Sequence, residues 1–109
     1  MSWLLREGDV LATAEVAETF AQRTKGLLGR SGYEGAMVLP RTRSVHTMGM
    51  RFAIDVAFCD QDLVVVGVTR LAPWRWSLPR RRGRCVIEAQ AGAFERWGLR
   101  PGDHLELRL

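Results

Sequence analysis

Four polar side chains carry most of the chemistry this sequence offers: Arg23, Arg30, His46 and Asp55. Arg23 and Arg30 are seven residues apart. A helix that reaches that far sets them in one stripe beside Phe20 and Leu27. Two guanidinium forks side by side hold a carboxylate or a phosphate; the alternative is that their stems pack on the core and their charges pair with Asp55 or Glu34. Asp55 falls within a strand-like run, on the face opposite Ile54, Val56 and Phe58, where aspartate is a poor strand former. It therefore needs compensation, either as a carboxylate paired with an arginine or as a ligand-binding or catalytic group. His46, followed by Thr47 and Met48, offers an imidazole, the side chain suited to acid–base work near neutral pH.

A further candidate surface is the stretch from Trp74 to Arg84, where two tryptophans alternate with Arg75, Arg80, Arg81, Arg82 and Arg84. That composition suits phosphates and bases, and equally a solvated basic loop whose tryptophans cover the core. Cys59 and Cys85 stand far apart and outside any Cys-x-x-Cys pattern, so they read as small buried hydrophobes. Zinc would have to recruit His46 and His104 at unrelated spacings. The chain has no phosphate-cradling glycine loop, paired catalytic carboxylates or nucleophile elbow. The expectation is therefore a domain with no assigned catalytic residue, no metal and no cofactor.

These residues must be positioned by short elements. Val10, Ala12, Ala14 and Val16 alternate with Leu11, Thr13 and Glu15 as in a half-buried strand, preceded by a turn at Arg6-Glu7-Gly8-Asp9. Thr19 supplies an N-cap hydroxyl, and Phe20, Ala21, Thr24, Leu27 and Leu28 recur at helical spacing. Strand signals then follow at Ala36 to Leu39, Val45 to Met48 and Ala53 to Cys59. Asp60-Gln61-Asp62 reads as a turn into an apolar run, Leu63 to Val68, so a hairpin is expected. After the tryptophan–arginine loop, Cys85 to Ala89 returns to strand, Ala91 to Trp97 fits two helical turns, and His104 to Leu109 alternates as a last strand. The fold expected is mainly β: a small sandwich or barrel of about seven or eight short strands, with one helix in the N-terminal half and a short second helix.

The 109 residues, 47% hydrophobic, suit a single domain over 1–109. No run approaches the roughly 20 apolar residues of a membrane span, and the first ten residues lack the apolar core of a secretory signal. A cytoplasmic location is expected. The formal charge of +4 is uneven: between Arg41 and Arg84 there are nine arginines against Asp55, Asp60 and Asp62.

The order of motifs resembles the DUF192 family, a domain of unknown function. The resemblance is carried by Arg23-Thr24-Lys25-Gly26-Leu27-Leu28-Gly29-Arg30, by Gly35-Ala36-Met37, by His46-Thr47-Met48 leading to Ile54-Asp55-Val56-Ala57-Phe58, and by Gly98-Leu99 with Gly102-Asp103. It covers residues 10 to 109 and implies a compact β-sandwich-like domain with one helix, without bringing an activity. Arg23, Arg30, Asp55 and Asp103 are the polar positions that match the pattern; Thr47 and Gly49-Met50 depart from it.

From these residues the leading expectation is a non-enzymatic binding or accessory domain for a small anionic ligand or an acidic protein partner. Its ligand-binding residues would be Arg23, Arg30, Asp55 and His46. The alternatives are an acid–base enzyme using His46 and Asp55, which requires the two to converge in one cleft, and nucleic-acid binding through the loop 74–84.

Overall fold

The computed structural model describes residues 2–19 and 34–109. Seven strands form in it: β1 Ser2–Arg6, β2 Asp9–Val16, β3 Ala36–Pro40, β4 Ile54–Cys59, β5 Val65–Leu71, β6 Cys85–Gln90 and β7 Leu105–Arg108. A short helix, α1 (Ala93–Trp97), joins β6 to β7. The strands make one sheet in the order β5-β4-β6-β3-β2-β1-β7. Among the described residues, β2 and β3 are the one neighbouring pair that runs parallel. A parallel pair needs a crossover of a dozen or more residues, and residues 17–35 supply that length. The helix expected there, with Arg23 and Arg30, lies outside the described residues.

The sheet curls until its two edge strands meet at one end. Val64 bridges His104, the Val65 N–H donates to the Asp103 carbonyl at 2.9 Å, and the Leu105 N–H donates to the Leu63 carbonyl at 3.0 Å. The result is a half-barrel rather than two stacked layers. Local chemistry sets the turns that permit this. Glu7 and Gly8 both take positive φ, 51° and 85°, as a tight hairpin between twisted strands requires. At the β4–β5 turn, the Asp60 side chain accepts hydrogen bonds from the Asp62 and Val64 N–H groups at 2.9 and 3.0 Å. Leu63 is left-handed there, with φ 61°, so β5 begins at Val65 instead of Leu63.

Alternation along β4 matches the sequence, and both of its faces are buried. Ile54, Val56 and Phe58 pack with Met37, Leu39 and Val86. Ala57 and Cys59 pack on the other side with Val38, Ile87 and Phe94. The strand signal from Val45 to Met48, in contrast, yields only a single bridge, His46 to Trp76. The reason is that Thr47 spends its hydrogen bonds on an irregular segment, Ala72 to Arg75, rather than on a regular ladder.

Candidate functional site

Asp55 is placed by β4 with its carboxylate toward α1. It is buried, and both oxygens are engaged: Oδ2 accepts the N–H groups of Gly92 and Phe94 at 2.9 and 3.1 Å, and Oδ1 accepts Arg70 Nε at 3.0 Å. Arg70 is its cross-strand partner on β5. Gly92, at the N-terminal end of α1, has no side chain to cap the helix, and φ 99° puts it in the left-handed region that glycine tolerates. A carboxylate from a neighbouring strand therefore satisfies N–H groups that a local serine or aspartate would otherwise serve.

His46 sits elsewhere. Its Nδ1 accepts the Met48 N–H at 3.2 Å, and its ring lies 4.9 Å from that of Trp76, tilted by 37°. The residue before it, Val45, packs in the cluster of Ile54, Val56 and Phe58, which is the face of β4 opposite Asp55. Among the described residues no hydrogen bond joins Asp55 to His46, and each is engaged by other partners. Cys59 and Cys85 are cross-strand partners on β4 and β6. Burial pushes the Cys59 thiol up to about 12, with further contributions from Cys85 and Asp60, and the Cys85 thiol up to about 11. Both remain protonated at neutral pH and are poor nucleophiles.

What the fold does assemble is the tryptophan–arginine loop, and it is held from below by residues 42–47. Thr47 is fully buried. Its hydroxyl donates to the Ala72 carbonyl at 2.6 Å and accepts the Arg75 N–H at 2.8 Å, while its backbone receives the Trp74 N–H at 2.9 Å. Val45 and Ser77 exchange two bonds of 2.9 Å. Farther along, the Arg80 N–H donates to the Arg43 carbonyl at 3.0 Å, and the Thr42 N–H donates to the Arg84 carbonyl at 3.2 Å. The loop is thus a pinned ribbon. Trp74, Trp76 and Leu78 nonetheless stand 59%, 68% and 86% exposed, surrounded by exposed Arg43, Arg75, Arg80, Arg81, Arg82 and Arg84. None of the ion pairs among the described residues uses those six arginines.

Sequence reasoning found this loop by composition but missed the residue that anchors it. Thr47 stands directly after the candidate histidine, and a hydroxyl inside an apolar stretch was the available signal. Arg6 was missed as well. It donates to Asp103 Oδ2 at 2.9 Å and to the carbonyls of Trp97 and Gly98 at 2.6 and 3.1 Å, tying the β1–β2 turn to the C-terminal end of α1.

Comparison with known proteins is consistent across sequence and structure. The DUF192 family model, described as Uncharacterized ACR, matches residues 4–107. The UPF0127 protein of Pyrococcus furiosus is 40% identical over 95 residues, covering 83% of this chain and 82% of its own length. The UPF0127 protein of Pyrococcus horikoshii is 38% identical, covering 87% and 81%. Two crystal structures share the fold. One is a protein of unknown function from Novosphingobium aromaticivorans, with TM-score 0.80 and 23% identity, covering 96% of this chain and 82% of that one. The other is a putative transcription regulator from Sinorhizobium meliloti, with TM-score 0.78 and 25% identity, covering 96% and 90%. With the motifs in order, the half-barrel shared and the family model matched almost end to end, the chain belongs to the DUF192 family.

Proposed function

We propose that this chain is a non-enzymatic binding domain that holds an acidic partner segment against the arginine-rich loop 74–84. The observation that carries the reading is a group of six exposed arginines, five on the pinned ribbon and Arg43 on the segment beneath it, none in an ion pair among the described residues. Like charges held this close repel one another, and an anionic partner relieves the repulsion. A polypeptide fits better than stacked bases because one ring partner of Trp76 is already His46, and because Leu78 offers apolar contact without a flat face. Both oxygens of Asp55 are engaged by Arg70 and the start of α1 rather than by His46, which counts against the acid–base alternative.

Nucleic acid is the second reading. It is favoured by the two exposed indoles among the arginines and by the similar structure from Sinorhizobium meliloti, which is described as a putative transcription regulator. Fluorescence anisotropy of a labelled glutamate-rich peptide tests both. At about 50 mM salt the peptide is expected to bind, weakening steeply toward about 200 mM, and the double variant Arg81→Glu, Arg82→Glu is expected to lose at least about tenfold in affinity. A single-stranded oligonucleotide that binds more tightly than the peptide replaces the first reading with the second. If neither polyanion binds at low salt, both are wrong.

A further inference from the structure

Beside the loop runs a groove of about 460 Å³, walled by Leu71, Trp76, Leu78 and Pro79 and floored by Phe58, with Arg80 as its cation. Its construction begins in the sheet. Phe58 on β4 faces Gly67 on β5 across the antiparallel pair, and glycine leaves the space above its Cα empty. The Arg80 guanidinium occupies that space: a Cβ built on Gly67 would stand 2.8 Å from its Cζ. There the cation lies 5.1 Å from the centroid of the Phe58 ring, within the range of a cation–π contact. The backbone of Arg80 is fixed at both ends: its N–H donates to the Arg43 carbonyl, and its carbonyl accepts the Gly83 N–H, each at 3.0 Å. Among the described residues the guanidinium forms neither a hydrogen bond nor an ion pair.

A planar cation with its donors unspent, set on an aromatic floor between apolar walls, defines a ligand. We infer that this groove binds a monocarboxylate with an apolar body, the carboxylate received by Arg80 and the body lying along Leu71, Trp76 and Leu78. A single guanidinium fork matches a single planar carboxylate. Besides Arg80 the lining offers only the hydroxyls of Thr69 and Ser77 among mainly apolar side chains, which penalises a more highly charged head, whose desolvation one cation cannot offset. The volume is in the range of small-molecule pockets. This inference deepens the reading of the loop as an anion-accepting face and rests on it, but it names a different group of atoms from the charged tip at Arg81 and Arg82.

Octanoate and its neutral analogue octanamide, titrated calorimetrically into the intact chain, test the site. Octanoate is expected to bind at least about tenfold more tightly than the amide, the usual order for a charge-assisted pair against a neutral one. Arg80→Gln is expected to abolish that preference. Gly67→Ala, which pushes the guanidinium out of its seat while leaving Arg80 in the chain, is expected to weaken octanoate as well. Arg81→Glu with Arg82→Glu, the variant that tests the acidic-peptide reading, is expected to leave octanoate within about threefold at ordinary salt, where distant charges are screened. The inference is overturned if octanoate does not bind, if acid and amide bind equally, or if Arg80→Gln changes nothing. Glutamate-rich peptide binding that persists in the same preparation then confines the failure to the groove.

Discussion

At the scale of single residues, Asp55 shows how one side chain can carry the signature of a functional group while serving the fold. It is charged, central and buried, with its side chain 5% exposed against 55% for Arg70. The two kinds of partner are unequal. An ion pair with a half-exposed arginine is screened and contributes at most about 1 kcal/mol, whereas two backbone N–H groups at a buried helix start lose their only acceptor if the carboxylate goes. Asp55→Ala is therefore expected to destabilise the protein by about 3 kcal/mol, and Arg70→Ala by no more than about 1 kcal/mol. Urea denaturation of the two variants checks this, and equal losses would refute the ordering. Its partner in β5 was not readable by counting. Cys59 opposes Val65, and carrying that register back along an unbroken hairpin places Asp55 opposite Thr69. A bulge between Phe58 and Cys59 shifts the pairing by one, to Arg70.

At the scale of elements, the segment 42–47 and the loop 74–84 act as one unit although neither is a regular strand. Thr47 is the residue on which that depends. Thr47→Val keeps the shape and removes the hydroxyl, leaving the Arg75 N–H and the Ala72 carbonyl without their Oγ1 partner. A loss of about 1–3 kcal/mol in denaturant stability is expected, together with faster proteolysis after the arginines of the loop. Unchanged stability and cleavage would show that the backbone bonds alone hold the ribbon. The alternation that suggested a strand at Val45 to Met48 was a true sign of burial, since Val45 and Thr47 are both buried. Alternation reports which side chains face inward, and it does not report whether the backbone finds a regular partner.

At the scale of the whole molecule, the half-barrel is closed by contacts between the chain's two ends. Asp103 receives the Arg6 guanidinium and the Arg100 N–H at 2.9 and 3.0 Å. Burial acts to push the carboxyl's pKa up, but the Arg100 N–H and the Arg6 guanidinium outweigh it and hold the carboxyl below the usual carboxylate range. A carboxyl depressed in the folded state adds stability that is fully present above its unfolded value and is lost as pH falls through the folded one. The stability gap between the wild type and Asp103→Asn, measured by urea denaturation, is therefore expected to be present at neutral pH and to close below about pH 4. A gap that persists unchanged into strong acid would assign the effect to hydrogen-bond geometry rather than to charge.

Read without coordinates, the chain already determined its β character, the turns at Glu7-Gly8 and Asp60 to Asp62, the need of Asp55 for a compensating partner and the basic, tryptophan-bearing character of residues 74–84. Each of these follows from local chemistry: period-two alternation, residues that accept positive φ, and the composition of a short segment. The tertiary structure decided that the sheet curls so that β5 meets the turn before β7, that Asp55 serves the start of α1 and pairs with Arg70, and that Arg80 lies over Phe58 in the space left by Gly67. Those outcomes depend on register and on contacts between residues far apart in the chain. A bulge of one residue or the absence of one side chain changes them while leaving the local pattern intact.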